Sequence, residues 1–534
     1  MIKIVSVEQI RAIEAAADTG GLTYTELMER AGRVVAFRAL ELLEHLPTGD
    51  KAVTILVGGG NNGGDGLVAG RIIAEQNAAL VRFYLLARRA DDDGVFRAVT
   101  DAGLSVAYAE DDQRQRVLIN MIASANVVID ALFGIGVTLP LRDEAAKILR
   151  FAAQAVEGEA DEPPLRDPAS PTPPRRRPYV IALDCPSGLD CDTGAMDKNT
   201  LHADETITFI AAKPGLLTFP GATAVGDLRI SSLGVPPTLP DLRGAKRFLA
   251  DAAYVEPLLP ARTPDTHKGT YGKALIVGGS TRYMGAPALA ANGAYAVGAG
   301  LVSVATPAPV AFALAGGLLE TTWLPLAHSD GDLNADAAAL TLKEMSNYDA
   351  LAVGCGMGTT DSTRTFLDTL LPHPPTLSLR LLLDADALNI LSEMGEWWTR
   401  LPAETILTPH PGEMARLCRV STADVNAQRW TLAAEKAAAW NAIIVLKGAH
   451  TVIASPSGEI AVMPFKTSAL AKAGTGDTLA GMIVGLLAGG LKPFDAAVCG
   501  AYLHGAAGVR AGKTYGERGT LARDVANVAR GLFQ

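Results

Sequence analysis

Residues 58–66 read GGGNNGGDG, between the apolar run AVTILV (Ala52–Val57) and the segment LVAGRIIAE (Leu67–Glu75). Gly58, Gly60 and Gly63 satisfy the G-x-G-x-x-G spacing of a dinucleotide fingerprint, with strand, turn and helix in the required order. The stretch therefore predicts an α/β sheet whose ligand binds beyond the carboxyl ends of the strands. Two asparagines and an aspartate inside the turn do not belong to that fingerprint. A pyrophosphate rests on a helix N-terminus because backbone N–H groups and the helix dipole attract it, and a carboxylate at Asp65 would repel it. The next strand also ends in Ala87-Arg88-Arg89, with no acid to hold a ribose. The two arginines could suit a 2′-phosphate, which keeps NADP-dependent reduction open. Asp65 also reads as a plain helix N-cap. The preferred reading is a ligand that needs donors and an acceptor, with room for a cation, since Asn61 and Asn62 supply both carbonyls and amides.

The wider chain sets bounds on that reading. At 534 residues it is long enough for two to four domains, and 49% hydrophobic residues leave ample material for cores. Its 47 basic and 57 acidic residues give a net charge of −10, which argues against an electrostatic nucleic-acid binder. Five cysteines, none spaced C-x-x-C, indicate neither a zinc site nor a redox pair and suit a reducing compartment. The N-terminus lacks an apolar signal-peptide core and reads as a helix with a capping box from Ser6 to Gln9. No apolar run is long enough to span a bilayer. A cytoplasmic protein with no nucleic-acid or membrane partner is expected.

Short β-branched runs alternate with alanine-rich helical segments. Val53–Val57, Val81–Ala87, Val127–Ala131, Val180–Asp184 and Glu205–Ile210 predict a parallel sheet with helices on both faces. The pattern restarts at KALIVGGS (Lys273–Ser280) and continues through LVSVATP, ALAVGCG, RLLLDADAL, TILTPH and AIIVLKGAH. Two α/β domains follow, divided near 238/239. The proline- and arginine-rich stretch 157–178 interrupts the first and is expected to be a mobile, dispensable insertion.

Two further strand ends in the first half bear acids: Asp130 in VVIDALFGIGVTLP (Val127–Pro140), and Asp184 in VIALDCPSGLDCDTG (Val180–Gly194), followed by Ser187. Three such ends predict one pocket. GGGNNGGDGLVAGR, DALFGIG and DCPSGLD, together with AIEAAADTGGLTYTELMERAG near the start, resemble the YjeF N-terminal domain, the NAD(P)H-hydrate epimerase family. The resemblance covers most of residues 1–235. It implies a Rossmann-like three-layer α/β/α domain over 1–238 that interconverts the R and S epimers of NADHX and NADPHX, cofactors hydrated at C6 of the nicotinamide ring. It places the hydrate against Asn61, Asn62, Gly63, Gly64 and Asp65, against Gly134, Ile135, Gly136, Val137, Thr138, Leu139 and Pro140, and against Asp184, the candidate acid–base group. It also implies a potassium ion on Asn62, Asp130 and Ser187, an all-oxygen set that suits a hard cation.

Near the C-terminus KAGTGDTLAGMIVGLLAGG (Lys472–Gly490) leads a glycine turn into an apolar helix with Asp477 at its start. Such a turn offers an anion hole, and Asp477 beside it could move a proton while a phosphate is bound; the plainer reading is an N-cap. Lys447, His410, Glu413, Asp384 and Asp386, with turns at Val353–Gly358 and Gly278–Pro287, also fall at predicted strand ends. HKGTYGKALIVGGS and TPHPGEMARL resemble the YjeF C-terminal domain, the ADP/ATP-dependent NAD(P)H-hydrate dehydratase family, over about 245–530. The resemblance implies a ribokinase-like α/β domain over 239–534. Its adenine nucleotide would lie on Lys447, Gly448, Ala449, His450 and Thr451, and on Thr467, Ser468, Ala469, Leu470, Ala471, Lys472, Ala473, Gly474, Thr475 and Gly476. Its S-hydrate would lie on Ala286, Gly356, His410, Pro411, Gly412, Glu413, Met414, Ala415, Arg416 and the catalytic candidate Asp477. The turn GCGMG departs from the family's usual G-P-G-x-G.

The fusion implies an epimerase feeding a stereospecific dehydratase, with ADP (or ATP) as co-substrate, magnesium accompanying the nucleotide, and a homo-oligomer. A ribokinase-like small-molecule kinase with a regulatory N-terminal domain is the alternative, and a nucleotide-sensing scaffold a more distant third.

Overall fold

The computed structural model describes residues 1–47, 49–90, 92–158, 177–371 and 380–532. Most of the insertion read at 157–178 lies outside the described residues. Contacts divide the chain into two compact units, Lys3–Ala245 and Lys246–Gln534, with Met1–Ile2 grouped with the second.

The first unit holds a parallel sheet of seven strands: β1 (Ala52–Val57), β2 (Leu80–Leu85), β3 (Ser105–Tyr108), β4 (Val127–Ala131), β5 (Tyr179–Leu183), β6 (Glu205–Phe209) and β7 (Asp227–Ser231). Their order is β3-β2-β1-β4-β5-β6-β7. Val53, Ile55 and Val57 of β1 enter one core and Leu56 the core on the opposite face, the period of two that puts helices on both sides. The α/β reading holds. β3 and β7, absent from the expected strands, are the two edges, where partial exposure removes the continuous apolar run that marks β1 and β4. The chain winds outward from β1 through β2 to β3 and returns to β4 on the other side, so β1 and β4 flank a topological switch point.

The second unit contains β8 (Arg247–Leu249), β9 (Lys273–Val277), β10 (Leu301–Pro307), β11 (Thr322–Leu326), β12 (Ala350–Val353), β13 (Arg380–Leu383), β14 (Ile406–Leu407), β15 (Ile443–Leu446), β16 (Val452–Ala454) and β17 (Ile460–Val462). They lie in the order β8-β17-β16-β15-β14-β13-β12-β9-β10-β11. The pairs from β15 through β11 are parallel, and β16 runs antiparallel to both its neighbours. The switch point here lies between β9 and β12. Behind the sheet the helix Thr475–Ala488 is buried from Thr478 onward, as its nearly unbroken apolar sequence requires. A Cβ on Gly481 would stand 1.9 Å from the carbonyl oxygen of Ala290, so only glycine lets this helix lie so close to the helix Gly285–Ala296.

Candidate active sites

The glycine turn of the first unit sits at its switch point. A Cβ on Gly58 would fall 1.8 Å from the carbonyl oxygen of Leu132, so the ends of β1 and β4 meet backbone to backbone. The helix that follows spans Asn61–Glu75 with Gly60 as its N-cap and no capping side chain. Asp65 therefore lies a full turn inside the helix, and the N-cap reading of it is overturned. Burial first, and then the charges of Asp184 and Glu14, hold the Asp65 carboxyl well above the usual carboxylate range. Its ionised form is thus disfavoured, which lessens the repulsion that a phosphate would meet in this turn.

Asp130, the fourth residue of β4, is fully buried. Its Oδ1 accepts from Ser187 Oγ at 2.6 Å and its Oδ2 from Ser187 N at 2.8 Å. Burial raises its pKa against these hydrogen bonds, and no ammonium or guanidinium pairs with it among the described residues. Asn62 is buried too, its Nδ2 has no hydrogen-bond partner, and its side chain lies 3.3 Å from the place a Cβ on Gly134 would take. Asn62, Gly134, Asp130 and Ser187 thus converge. The segment from Gly134 then passes Arg11, near Gly136, and reaches a cleft of about 1120 Å³ lined by Leu139, Pro140, Lys147, Arg150 and Lys198.

Asp184 immediately follows β5 and adopts φ +65°, a left-handed conformation seldom taken by residues with a side chain. Its Oδ1 accepts from Lys213 Nζ at 2.6 Å and from Thr208 Oγ1 at 3.0 Å. Lys213 is 1% exposed and also donates to Thr208 Oγ1 and the carbonyl of Phe209. Sequence reasoning missed Lys213, Thr208 and Glu14. Glu14 sits close enough to Asp184 and Lys213 to feel both charges; burial, followed by Asp184, raises its pKa. Three carboxyl groups thus gather near one buried lysine.

The second unit repeats that arrangement with other residues. Beyond β13, Asp384 is 1% exposed; its Oδ1 accepts from Lys447 Nζ at 2.8 Å and from Thr408 Oγ1 at 2.7 Å. Lys447 also lies 3.7 Å from Glu413 Oε2. Burial alone would lower the lysine's pKa, but Asp384 and Glu413 outweigh it and raise it. Glu413 closes a capping box: its Oε2 accepts from His410 N at 2.7 Å, while His410 Nδ1 accepts from Gly412 N at 2.9 Å. Burial, only partly countered by Lys447, moves Glu413 to about 7. His410 is half-exposed, and burial followed by Lys447 lowers its pKa.

Asp477 is the third residue of its helix, after the N-cap Gly474 at φ +90°, so its N-cap reading is also overturned. Burial and then Asp384 raise it to about 7. Cys355 Sγ donates to Asp384 Oδ2 at 3.9 Å and lies within 4.8 Å of an Asp477 carboxylate oxygen, so the cysteine of the unusual GCGMG turn faces the acids directly. A Cβ on Gly356 would touch Ala286 at 2.7 Å. Ala286, Gly356, Cys355, Asp384, Glu413, Lys447 and Asp477 therefore share one sheet edge. Arg416 donates to Asn389 Oδ1 at 2.8 Å just outside them. Of the expected nucleotide residues, Thr475 hydroxyl donates to Leu470 and Lys472 carbonyls, tightening the turn, whereas His450 is buried and its Nδ1 contacts the carbonyl of Met463. Sequence reasoning missed Thr408 and Cys355; the departure of GCGMG from the family turn was the signal for Cys355.

A family model described as NAD(P)H-hydrate dehydratase matches residues 274–530, and one described as the YjeF-related protein N-terminus matches 24–215. The chain is similar over nearly its whole length to curated proteins named bifunctional NAD(P)H-hydrate repair enzyme Nnr. That of Moorella thermoacetica is 36% identical, covering 93% of this chain and 90% of the relative. That of Escherichia coli is 31% identical, covering 96% and 90%. Among solved structures, the ADP/ATP-dependent NAD(P)H-hydrate dehydratase of Bacillus subtilis, co-crystallised with ATP and magnesium, is 34% identical with a TM-score of 0.45, covering 53% of this chain and 95% of that one.

Proposed function

The chain belongs to the bifunctional NAD(P)H-hydrate repair enzymes, and from that premise we propose how its two sites divide the work. It is an NAD(P)H-hydrate epimerase joined to an ADP/ATP-dependent NAD(P)H-hydrate dehydratase. The epimerase is assigned to Lys3–Ala245 and the dehydratase to Lys246–Gln534. The observation that carries the division is the recurrence, in each unit, of three carboxyl groups near one lysine ion-paired to a strand-end aspartate.

In the epimerase the ring nitrogen assists loss of the C6 hydroxyl as water, leaving a planar cation that water re-enters from either face. The proton for the departing hydroxyl passes from the Lys213 ammonium through the Asp184 carboxylate bonded to it, and the proton released by the incoming water returns by the same path. Asp130, Ser187 and Asn62 fit a potassium ion: Asp130 is a buried carboxylate bonded only to uncharged donors, and all three residues offer oxygen. The ion would supply the missing positive charge. The cleft beside Leu139 and Pro140, where Lys147, Arg150 and Lys198 outnumber Asp143 and Asp197, suits the anionic remainder of the dinucleotide.

In the dehydratase the C6 hydroxyl is a poor leaving group. Asp477 takes its proton as the terminal phosphoryl group of the nucleotide moves to the oxygen; phosphate then departs from C6 with the ring nitrogen's electron pair, and loss of a proton from C5 to the departing phosphate restores the dihydropyridine. The turn Gly474–Gly476 and the N-terminus of the helix behind it stabilise the phosphoryl charge. Magnesium, held with the nucleotide, would add to that charge neutralisation. A cytoplasmic location and a homo-oligomeric state belong to the same reading; among the described residues no helix is long and apolar enough to cross a membrane.

Given a mixture of epimers and ADP, the chain is expected to restore the near-ultraviolet absorbance of the reduced nicotinamide in full. Replacing potassium by choline should slow clearance of the R-epimer more than that of the S-epimer. Accumulation of a stable phosphorylated product would instead identify a kinase, and equal slowing of both epimers would remove the ion from Asp130.

A further inference from the structure

Arg429 opens the helix Arg429–Trp440, whose N-cap Gln428 makes no capping side-chain hydrogen bond. A guanidinium at that end adds positive charge where the helix dipole is already positive, an arrangement unfavourable unless an anion comes. Arg429 nevertheless has no carboxylate partner among the described residues. Its Nη2 donates to the carbonyls of Leu446 at 2.9 Å and Lys447 at 3.1 Å, while Nε and Nη1 make no hydrogen bond to the described residues. Burial pulls its pKa down to about 10, the mark of a charge without a counter-ion.

Its position gives that charge a use. The place a Cβ on Gly448 would take lies 3.0 Å from Nη2 and 3.1 Å from Nη1, so the guanidinium edge runs along bare backbone in the loop after β15. The neighbouring Lys447 is differently committed: its ammonium is bound to Asp384 and lies near Glu413. Lys447 thus serves the acid cluster, and the loop's uncompensated cation is Arg429. Because a guanidinium offers paired donors matched to phosphate oxygens, we propose that Arg429 is the phosphate-binding cation of the dehydratase, contacting the adenine nucleotide across Gly448. The assignment rests on the nucleotide-dependent reading of the second unit.

The test compares the full chain with Arg429→Gln and Arg429→Lys, varying ADP and S-hydrate separately. Arg429→Gln should raise the KM for ADP by roughly tenfold to a hundredfold, the factor expected from losing one charged hydrogen-bonding partner. It should leave the KM for the hydrate and kcat at saturating ADP nearly unchanged. Arg429→Lys, which keeps the charge but loses the fork, should show a smaller rise, and it decides the matter if the glutamine variant fails to fold. A merely structural Arg429 behaves otherwise. Release of the Leu446 and Lys447 carbonyls would displace Lys447 from Asp384 and Glu413, so kcat and the hydrate KM would move with the ADP KM. That pattern, or an unchanged ADP KM, overturns the assignment alone. Hydrate dehydration by the parent chain without any nucleotide overturns the assignment together with the reading beneath it.

Discussion

Asp477→Asn lowers dehydration of the S-epimer by roughly a hundredfold or more, the general acid–base range, and leaves ADP binding in place. Asparagine keeps the size and hydrogen-bonding reach of the side chain but cannot take the hydroxyl proton. In the parent, Asp477 titrates at about 7 because of burial and then Asp384, so dehydration should rise with pH through neutrality, and the variant should lose that limb. Stability gives a second readout. A carboxyl whose folded pKa lies above its unfolded one contributes stability that is full below the unfolded value near 3.8 and lost as pH rises through about 7. Asparagine never ionises, so the melting temperature of Asp477→Asn should improve against the parent between pH 5 and pH 8, by a few degrees at most. Near-normal turnover, measured with saturating ADP, removes Asp477 from the mechanism.

Asp184→Asn is expected to abolish rescue of the R-epimer while S-epimer dehydration stays intact. Asparagine is the right replacement because it tolerates the φ of +65° at this position. The change strands Lys213, buried with an unpaired ammonium, and breaking such a pair by removing one partner costs about 3–5 kcal/mol. Asp184→Asn/Lys213→Met should recover part of that stability without recovering activity, which separates chemistry from folding. With an epimer mixture, both variants should show a fast phase of normal size followed by a residual phase limited by spontaneous epimerisation. R-epimer clearance at the parent rate would show that Asp184 does not act on the hydrate; loss of the fast phase in a folded variant would show that the two sites are not independent.

The sheets were legible because their central strands are buried on both faces and read as unbroken β-branched runs. The edge strands β3, β7 and β11 and the three-residue strands β8, β16 and β17 were not, since edges and short strands lack that run. Acids at strand ends were legible as a group in Asp130, Asp184 and Asp384, and Asp477 was legible at a helix start. Their partners were not. Lys213 lies 29 positions from Asp184, and Thr408 lies 24 from Asp384. A single polar residue after a strand carries no periodicity, and only the assembled sheet reveals that it is buried. Asp65 and Asp477 each look like caps because a glycine turn precedes them. That the caps are Gly60 and Gly474, with the acids further along the helix, depends on backbone angles that glycine leaves open.

Asp384, Glu413 and Asp477 have one ammonium between them, and Glu413 and Asp477 sit near the midpoint of their titration at neutral pH. The cluster is a proton store, partly filled. A polyphosphate arriving nearby makes each negative carboxylate less tolerable, so nucleotide binding should draw protons from solution into the store before any bond is broken. Nucleotide affinity should then tighten as the medium becomes more acidic. The heat of binding should shift with the ionisation enthalpy of the buffer, and a binding heat identical in all buffers would show that the store does not fill. The protons so taken up would reside on Glu413, which leaves Asp477 ionised to receive the hydroxyl proton and divides the two acids between accommodating the nucleotide and reacting with the hydrate.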